Sequence, residues 1–343
     1  MAKSNHHTKV GVIGLGSIAQ VVHLPNLKQL SDVEISAVCD IDLKKAGAIA
    51  DRFDVPRFYR DPANLLERED LDAVLVLTPT HAHMALAIAA LRSGKHVMVE
   101  KPIARNVKEA RKMVSAANAA DRLLMVAMNH RFRPDAVSLK KMIDAGELGD
   151  IYKVRAGWLK KRGKWTRPQW LRNQEISGGG VLMDLGIQML DLCLWLLSNY
   201  KVQRVSGTAH RLMYHAKVED TATAILLLEK NVTFSLDVSW AIPSTHTQAF
   251  THFYGTSGTA TLNPLTLTRV TSHEAVDVAT HQSHTPSKLY QMSFEREVGH
   301  FIDAVRNGSS LQSTGEEALK IMEIIETFYR SVDEGREIIA GAT

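Results

Sequence analysis

Short apolar runs and amphipathic stretches alternate through the first 128 residues. Lys9–Gly14, Glu34–Cys39, Ala73–Leu77, His96–Val99 and Leu123–Ala127 have the length and continuous apolar character of strands buried on both faces. Between them, Ser17–Leu30, Leu43–Phe53, Ala82–Ser93 and Val107–Ala120 repeat apolar residues at helical spacing. Strand–helix alternation predicts a doubly wound parallel sheet with right-handed crossovers. Pro25, inside the first helical stretch, is expected to kink that helix or end it early.

The pattern changes after about Asn129. One more helix is predicted over Pro134–Ala145, stopped by Gly146. Longer β-rich segments follow: Ile151–Leu159, Val202–His210, Thr221–Leu228, Val232–Trp240 and Ala249–Tyr254, with Glu229-Lys230-Asn231 as a hairpin turn between two of them. Few helices separate these strands, so they predict an α+β domain on a large open, mostly antiparallel sheet. Helices near Phe294–Arg306 and Glu316–Val332 close the chain, and the polar, aperiodic Thr271–Lys288 reads as a loop or mobile hairpin. The expected division is a parallel-sheet domain over 1–128 and a second domain over 129–343.

Composition narrows the class. The 343 residues suit two domains, and 45% apolar with 23% charged residues is ordinary for a soluble globular protein. A net charge of +4 is mild and no basic block resembles a nucleic-acid arm, so no nucleic-acid partner is expected. Cys39 and Cys193 sit inside apolar runs, which points away from a disulfide framework and toward a reducing compartment. Met1 to Lys9 lacks the apolar core of a signal peptide. Asp184 and Asp191 interrupt the longest apolar run, Val181–Leu197. The expectation is a cytoplasmic protein without a membrane partner. No histidines cluster with Cys or carboxylates at metal-ligand spacing, so no metal is expected.

Chemistry first appears at Gly14-x-Gly16-x-x-Ala19, between a predicted strand and a predicted helix. The first glycine permits a tight turn, the second lets the backbone approach a pyrophosphate, and Ala19 allows close helix–strand packing at a helix N-terminus that favours negative charge. Asp40 ends the second strand, where a carboxylate accepts hydrogen bonds from the adenosine ribose hydroxyls and repels a 2′-phosphate. Lys44 and Lys45 nearby soften that repulsion, so NAD is favoured over NADP without excluding it. Two further segments, Thr78-Pro79-Thr80-His81-Ala82-His83 and Glu100-Lys101-Pro102, end strands on the same side, where open α/β sheets bind ligands. His81 reads as a surface residue.

The second chemical segment is Gly178-Gly179-Gly180-Val181-Leu182-Met183-Asp184-Leu185-Gly186-Ile187-Gln188-Met189-Leu190-Asp191. From Val181 to Leu197 only Asp184, Gln188 and Asp191 break an apolar cylinder, and their spacing of four and three draws one polar stripe along it. Buried polar groups need partners, and a ligand is one kind. This segment resembles the Gly-Gly-Gly-x-Leu-x-Asp-x-Gly-x-His-x-x-Asp signature of the Gfo/Idh/MocA oxidoreductases, with Gln188 where the family carries its proton-handling histidine. The segments Thr78–His83 and Glu100–Pro102 are similar to that family's Thr-Pro-Asn-x-x-His and Glu-Lys-Pro, with Thr80 in place of the asparagine.

The resemblance implies a Rossmann domain and an NAD(P)-dependent oxidoreductase acting on a secondary alcohol or ketone of a sugar, polyol or nucleotide-sugar. It implies cofactor contacts from the loop residues Gly14, Gly16, Ser17 and Ile18 and from Asp40, Thr78, Pro79, His83, Glu100, Lys101, Asn129, Trp170 and Arg172. Catalytic roles fall to Lys101, Asp184 and Gln188. Since an amide does not titrate, three consequences stand open. Lys101 handles the proton, with Asp184 tuning it; or another group such as His130 does, although His130 reads first as a hydrogen-bonded histidine at a domain junction. In the third, the chain is a non-catalytic NAD-binding sensor or regulator. NAD held for transient oxidation during glycoside cleavage is a further alternative. Lys160 to Arg172, rich in cations and interleaved with Trp165 and Trp170, can grip an anion or a sugar face, though Lys160 to Lys164 alone read as a solvated basic loop. An exposed sheet face predicts a homodimer or homotetramer.

Overall fold

The computed structural model describes residues 7–164, 168–212, 217–271, 274–278 and 284–341. Residues 165–167 of the basic segment, and 272–273 and 279–283 of the expected loop, lie outside that range. Two compact units emerge. Met1–Asn129 with Phe294–Leu319 form the first, and His130–Ser293 with Lys320–Thr343 the second.

In the first unit, β1 (Thr8–Ile13), β2 (Val33–Cys39), β3 (Phe58–Tyr59), β4 (Ala73–Val76), β5 (His96–Glu100) and β6 (Leu124–Ala127) form one sheet in the order β3-β2-β1-β4-β5-β6. Every pairing is parallel, so helical crossovers cover both faces and the central strands β1, β4 and β5 are buried except at Lys9, His96 and Glu100. The order reverses beside β1, which opens a crevice at the carboxyl ends of β1 and β4. The first helical stretch divides as Pro25 demands. A π-helical turn over Ala19–His23 runs without a break into an α-helix over Leu24–Gln29, and Pro25, which has no N–H to give, lies just past that wider turn.

A single cut after residue 128 omits a returning segment. Val126 and Ser313 exchange hydrogen bonds, backbone N–H to carbonyl at 3.1 Å and Ser313 Oγ to the Val126 carbonyl at 2.7 Å. Arg306 ion-pairs with Asp32. Helical periodicity in 294–319 shows that one face is buried; it does not show against what, so the return is invisible in the sequence.

Among the described residues the second unit is built on nine strands: β7 (Ile151–Lys161), β8 (Val202–His210), β9 (Thr221–Leu228), β10 (Val232–Ile242), β11 (Gln248–Gly255), β12 (Gly258–Leu262), β13 (Thr266–Thr271), β14 (Glu274–Val278) and β15 (Ile338–Ile339). Their order is β14-β13-β12-β11-β7-β10-β9-β8-β15, antiparallel except for the central β7–β10 pair. Within Thr271–Lys288, expected as a loop or a hairpin, β14 pairs antiparallel with β13, and the helix Pro286–Asn307 begins inside the same stretch, earlier than the predicted Phe294. Alternation along β10 buries Val232, Phe234, Leu236 and Val238 on one face. The other face carries Lys153, Arg155, His252, Tyr254, Thr233 and Ile225, and it is open.

The helix Ile187–Leu197 lies on the covered face, with all of its residues but Trp195 and Leu197 buried. Among the described residues the helical run Gln174–Leu197 alone is long and apolar enough to cross a membrane, and 89% of its apolar window is buried within the fold. Asp191, the third member of the polar stripe, is committed to structure. Arg131 donates to it through Nε at 2.7 Å and Nη2 at 2.5 Å, and Nη2 also reaches the Tyr200 hydroxyl at 3.0 Å.

Candidate functional site

The glycine loop leaves β1 through Gly14, whose φ of +93° suits glycine alone, and a Cβ there would stand 2.8 Å from the backbone of Leu77 and Thr78. Gly14 N–H donates to the Cys39 carbonyl at 2.8 Å. Gly16 differs: a Cβ added to it meets nothing within 4 Å. Protein packing therefore does not demand glycine at 16, whereas a pyrophosphate lying on the loop does. Gly16 and Ser17 are exposed and Ile18 half-buried ahead of the helical turn, which leaves their side of the loop open to a ligand.

Asp40 is 8% exposed at the end of β2. Its Oδ2 accepts from Leu15 N–H at 2.9 Å and lies 2.8 Å from Lys45 Nζ, while Oδ1 accepts from Asp42 N–H at 3.0 Å. Burial alone would raise its pKa, but Lys45 and the two backbone donors outweigh it and hold the carboxyl below its ordinary value. Asp40 thus stays ionised and braces the glycine loop. The buried thiol of neighbouring Cys39 is pushed up to about 12, by burial first and by Asp40 next, and both cysteines are free.

The loops after β4 and β5 are tied by His83. Its Nδ1 lies 2.9 Å from the Pro102 carbonyl and its Nε2 2.8 Å from the Thr78 carbonyl, so the buried ring bridges two backbones and directs neither nitrogen outward. Burial lowers its pKa. Thr78 Oγ1 and Thr80 Oγ1, by contrast, are buried hydroxyls without a hydrogen-bond partner. Pro79 is half-buried and His81 exposed beside them. At the end of β5, Glu100 Oε1 meets His23 Nε2 at 2.8 Å and Oε2 accepts from Lys101 N–H at 3.0 Å. Burial raises the Glu100 pKa, yet His23, with smaller effects from Lys101 and His83, brings it below the ordinary value. Lys101 follows, half-buried. The open cradle at Gly16, the ionised Asp40 and the orphaned threonine hydroxyls fit an NAD-sized dinucleotide.

In the second unit, the glycine segment exists for a close approach. A Cβ on Gly180 would stand 2.0 Å from the Glu219 carbonyl. The buried Glu219 carboxylate accepts from Gly180 N–H at 3.1 Å, Leu182 N–H at 3.0 Å and the Tyr329 hydroxyl at 2.9 Å, capping the helix that follows. Burial pushes its pKa up against the pull of those donors. A π-helical turn over Leu182–Gly186 then carries Asp184, whose Oδ2 accepts from Trp240 Nε1 at 2.8 Å. Gln188 Nε2 donates to the Asp184 carbonyl at 2.9 Å, so part of the amide is spent on its own helix.

His130 stands edge-on to Trp158, centroids 5.5 Å apart, and tilted against Tyr290 at 5.9 Å; Lys160 Nζ lies 5.4 Å over Trp158. Lys160 therefore belongs to β7 and not to a solvated loop. Trp170 and Arg172 share a 3₁₀ turn, where Arg172 donates to Gln169 Oε1 at 3.3 Å. Asn129 is buried at the end of the first unit's main segment. Among the described residues no group of three or more His, Cys, Asp or Glu could hold a metal ion. Sequence reasoning missed His23, Glu219, Trp240 and Tyr329. His23 does lie on the buried phase of its helix, and Glu219-Asp220 is an acidic pair just before a buried strand; Trp240 and Tyr329 gave no such signal.

Comparison with known proteins places the chain. A model described as "Oxidoreductase family, NAD-binding Rossmann fold" matches residues 8–128, and the "GFO/IDH/MocA C-terminal domain" matches residues 137–261. The chain is 27% identical to D-glucoside 3-dehydrogenase of Escherichia coli K12, covering 98% of this chain and 99% of that one. A solved oxidoreductase from Agrobacterium radiobacter in complex with NAD+, L-tartaric acid and magnesium superposes with a TM-score of 0.87 at 25% identity, covering 98% and 99% of the two chains. Levoglucosan dehydrogenase in complex with NADH shares the fold, with a TM-score of 0.88 at 20% identity over 98% and 100%.

Proposed function

The chain belongs to the Gfo/Idh/MocA family of oxidoreductases, and from that premise we propose that it oxidises a secondary alcohol of a sugar, polyol or nucleotide-sugar, or reduces the matching ketone, as a cytoplasmic NAD-dependent dehydrogenase. The observation that carries this reading is the strand-end set of the first unit, where clamped Glu100 is followed by Lys101 on the same edge as the cradle at Gly14–Ile18. NAD bound there supplies the hydride acceptor, held by that loop and by Asp40, Thr78, Pro79 and Glu100, with Asn129, Trp170 and Arg172 as further cofactor contacts. Ionised Asp40 favours NAD over NADP, since a 2′-phosphate would meet a fixed negative charge.

Lys101 holds the substrate oxygen and takes the hydroxyl proton as the alcohol is oxidised, returning it in the reverse direction. Asp184, fixed by Trp240, accepts a substrate hydroxyl, and Gln188 adds a neutral hydrogen bond. His83 acts through its two loops. Trp158, with Lys160 over its ring and His130 against both it and Tyr290, supports a sugar or polyol face, as does the name of the E. coli relative. A second copy of the chain covers the open sheet face, and a solution mass of a dimer or tetramer checks this.

A panel of glycosides, polyols and nucleotide-sugars, followed by nicotinamide absorbance, tests the reading. Appearance of NADH with one class supports it; tight NAD binding with no turnover of any class sinks it in favour of the sensor. The substitution Gln188→His separates the proton routes. With Lys101 as the proton carrier, kcat stays within about threefold of wild type and gains no new limb near pH 6.5. A faster enzyme with a new limb there would make position 188 the proton site.

A further inference from the structure

The first helix of the N-terminal unit carries one buried imidazole with only one of its two ring nitrogens hydrogen-bonded. His23 has no exposed side-chain surface, stands at the end of the π-helical turn Ala19–His23, and points Nε2 at Glu100 Oε1 at 2.8 Å. Its Nδ1 is buried without a hydrogen-bond partner. Leaving a buried ring nitrogen unpaired costs free energy, on the order of 1–3 kcal/mol, that an apolar side chain at this position would avoid. A π-turn, the wider and rarer helical turn, recurs where a side chain is aimed at a functional site. Here the turn ends on the residue that grips Glu100.

The other end of that carboxylate defines the consequence. Glu100 Oε2 accepts from Lys101 N–H at 3.0 Å, so the carboxylate is held on one side by His23 and holds the Lys101 backbone on the other. We propose that His23 is a positioning residue for the dehydrogenase reaction, acting through Glu100 to fix the stance of Lys101 at the end of β5. The inference rests on the reading of Lys101 as the proton-handling group. The charged or titratable groups facing Glu100 are His23 from the first helix, His83 from the helix after β4, and Lys101 from its own loop. His23 hydrogen-bonds the carboxylate through its side chain, and its loss removes the strongest support for the ionised form.

The test compares wild type with His23→Leu and His23→Gln as NAD-loaded full-length proteins. Leucine fills the space without a donor; the glutamine amide places an N–H where Nε2 stood. His23→Leu lowers kcat by about 10- to 100-fold while the substrate KM and NADH affinity stay within about threefold, the mark of lost positioning rather than lost binding. The acid limb of kcat/KM moves to higher pH as Glu100 becomes easier to protonate, and His23→Gln restores both rate and limb. Should the leucine variant fail to fold, His23→Asn, whose amide stops short of Glu100, takes its place. Wild-type kcat and an unmoved acid limb in His23→Leu overturn the inference. If wild type turns over no alcohol at all, the proposed function fails and competitive acetic anhydride labelling of Lys101 decides this point separately. A labelling rate changed about threefold or more in His23→Leu and recovered in His23→Gln sustains the inference, and equal rates in all three overturn it.

Discussion

Replacing Lys101 with methionine is expected to lower kcat by about 10²- to 10⁴-fold, the range general acid–base groups supply, while NAD affinity changes little. Methionine keeps the length and apolar stem of the side chain and removes only the ammonium. Most of the proposed cofactor contacts, on the Gly14–Ile18 loop, ionised Asp40 and the loop that His83 ties at Thr78, are untouched by the substitution. Glu100 accepts from the backbone N–H of residue 101, which the substitution leaves in place. Binding and turnover should therefore separate, read by NADH titration and by steady-state rates on the same preparation. A variant that retains more than about a tenth of wild-type kcat would remove Lys101 from the proton path.

The second large effect is on stability. Arg131→Met is expected to destabilise the second unit by about 3–5 kcal/mol, because it strands the Asp191 carboxylate in the core. The pair is fully withdrawn from solvent, at 0% and 1% side-chain exposure, and bidentate, with Arg131 also reaching the Tyr200 hydroxyl, so the carboxylate depends on the guanidinium for its charge partner. Desolvation makes the pair itself worth little net, so the double substitution Arg131→Met with Asp191→Leu should recover most of the loss. Urea midpoints of the two single variants and the double variant measure this cycle. A single variant that unfolds at the wild-type midpoint would show that the charge is relieved by some other group.

Periodicity was enough for most of the fold. The helices Leu43–Phe53 and Val107–Ala120 and the strands Val202–His210 and Thr221–Leu228 have the limits that apolar spacing and capping residues indicate, such as Asp42 and Asn106 at the two N-caps. The edge strands β3 and β14 were not legible, because two residues or a mostly exposed strand bury too little to impose an apolar alternation, and β12 alternates with the small residues Gly258 and Ala260, which give little apolar contrast. The return of 294–319 to the first unit was not legible either, since a helix records a buried face and not the neighbour that covers it.

The candidate site divides the same way. Gly14, Gly16 and Asp40 announce themselves because backbone geometry and a strand end restrict what can stand there. The polar stripe Asp184, Gln188 and Asp191 was visible as a stripe, but its members have different fates. Asp184 is held by Trp240, Gln188 turns back on its helix, and Asp191 is locked to Arg131. Those partners lie 56, 4 and 60 residues away along the chain, and only folding shows which distant donor meets which carboxylate. His83 shows the same limit: its spacing from Thr78 suits a cofactor ligand, while only the fold shows its ring standing between the Thr78 and Pro102 carbonyls.

The most direct measurement of the central claim is stoichiometry. With excess NAD and the alcohol that responds in the panel, substrate consumed and NADH formed are counted in one progress curve, by product analysis and nicotinamide absorbance. A dehydrogenase that passes its proton through Lys101 forms one NADH for each alcohol oxidised. Substrate cleaved while no NADH accumulates, or NAD bound while nothing is consumed, would contradict the account.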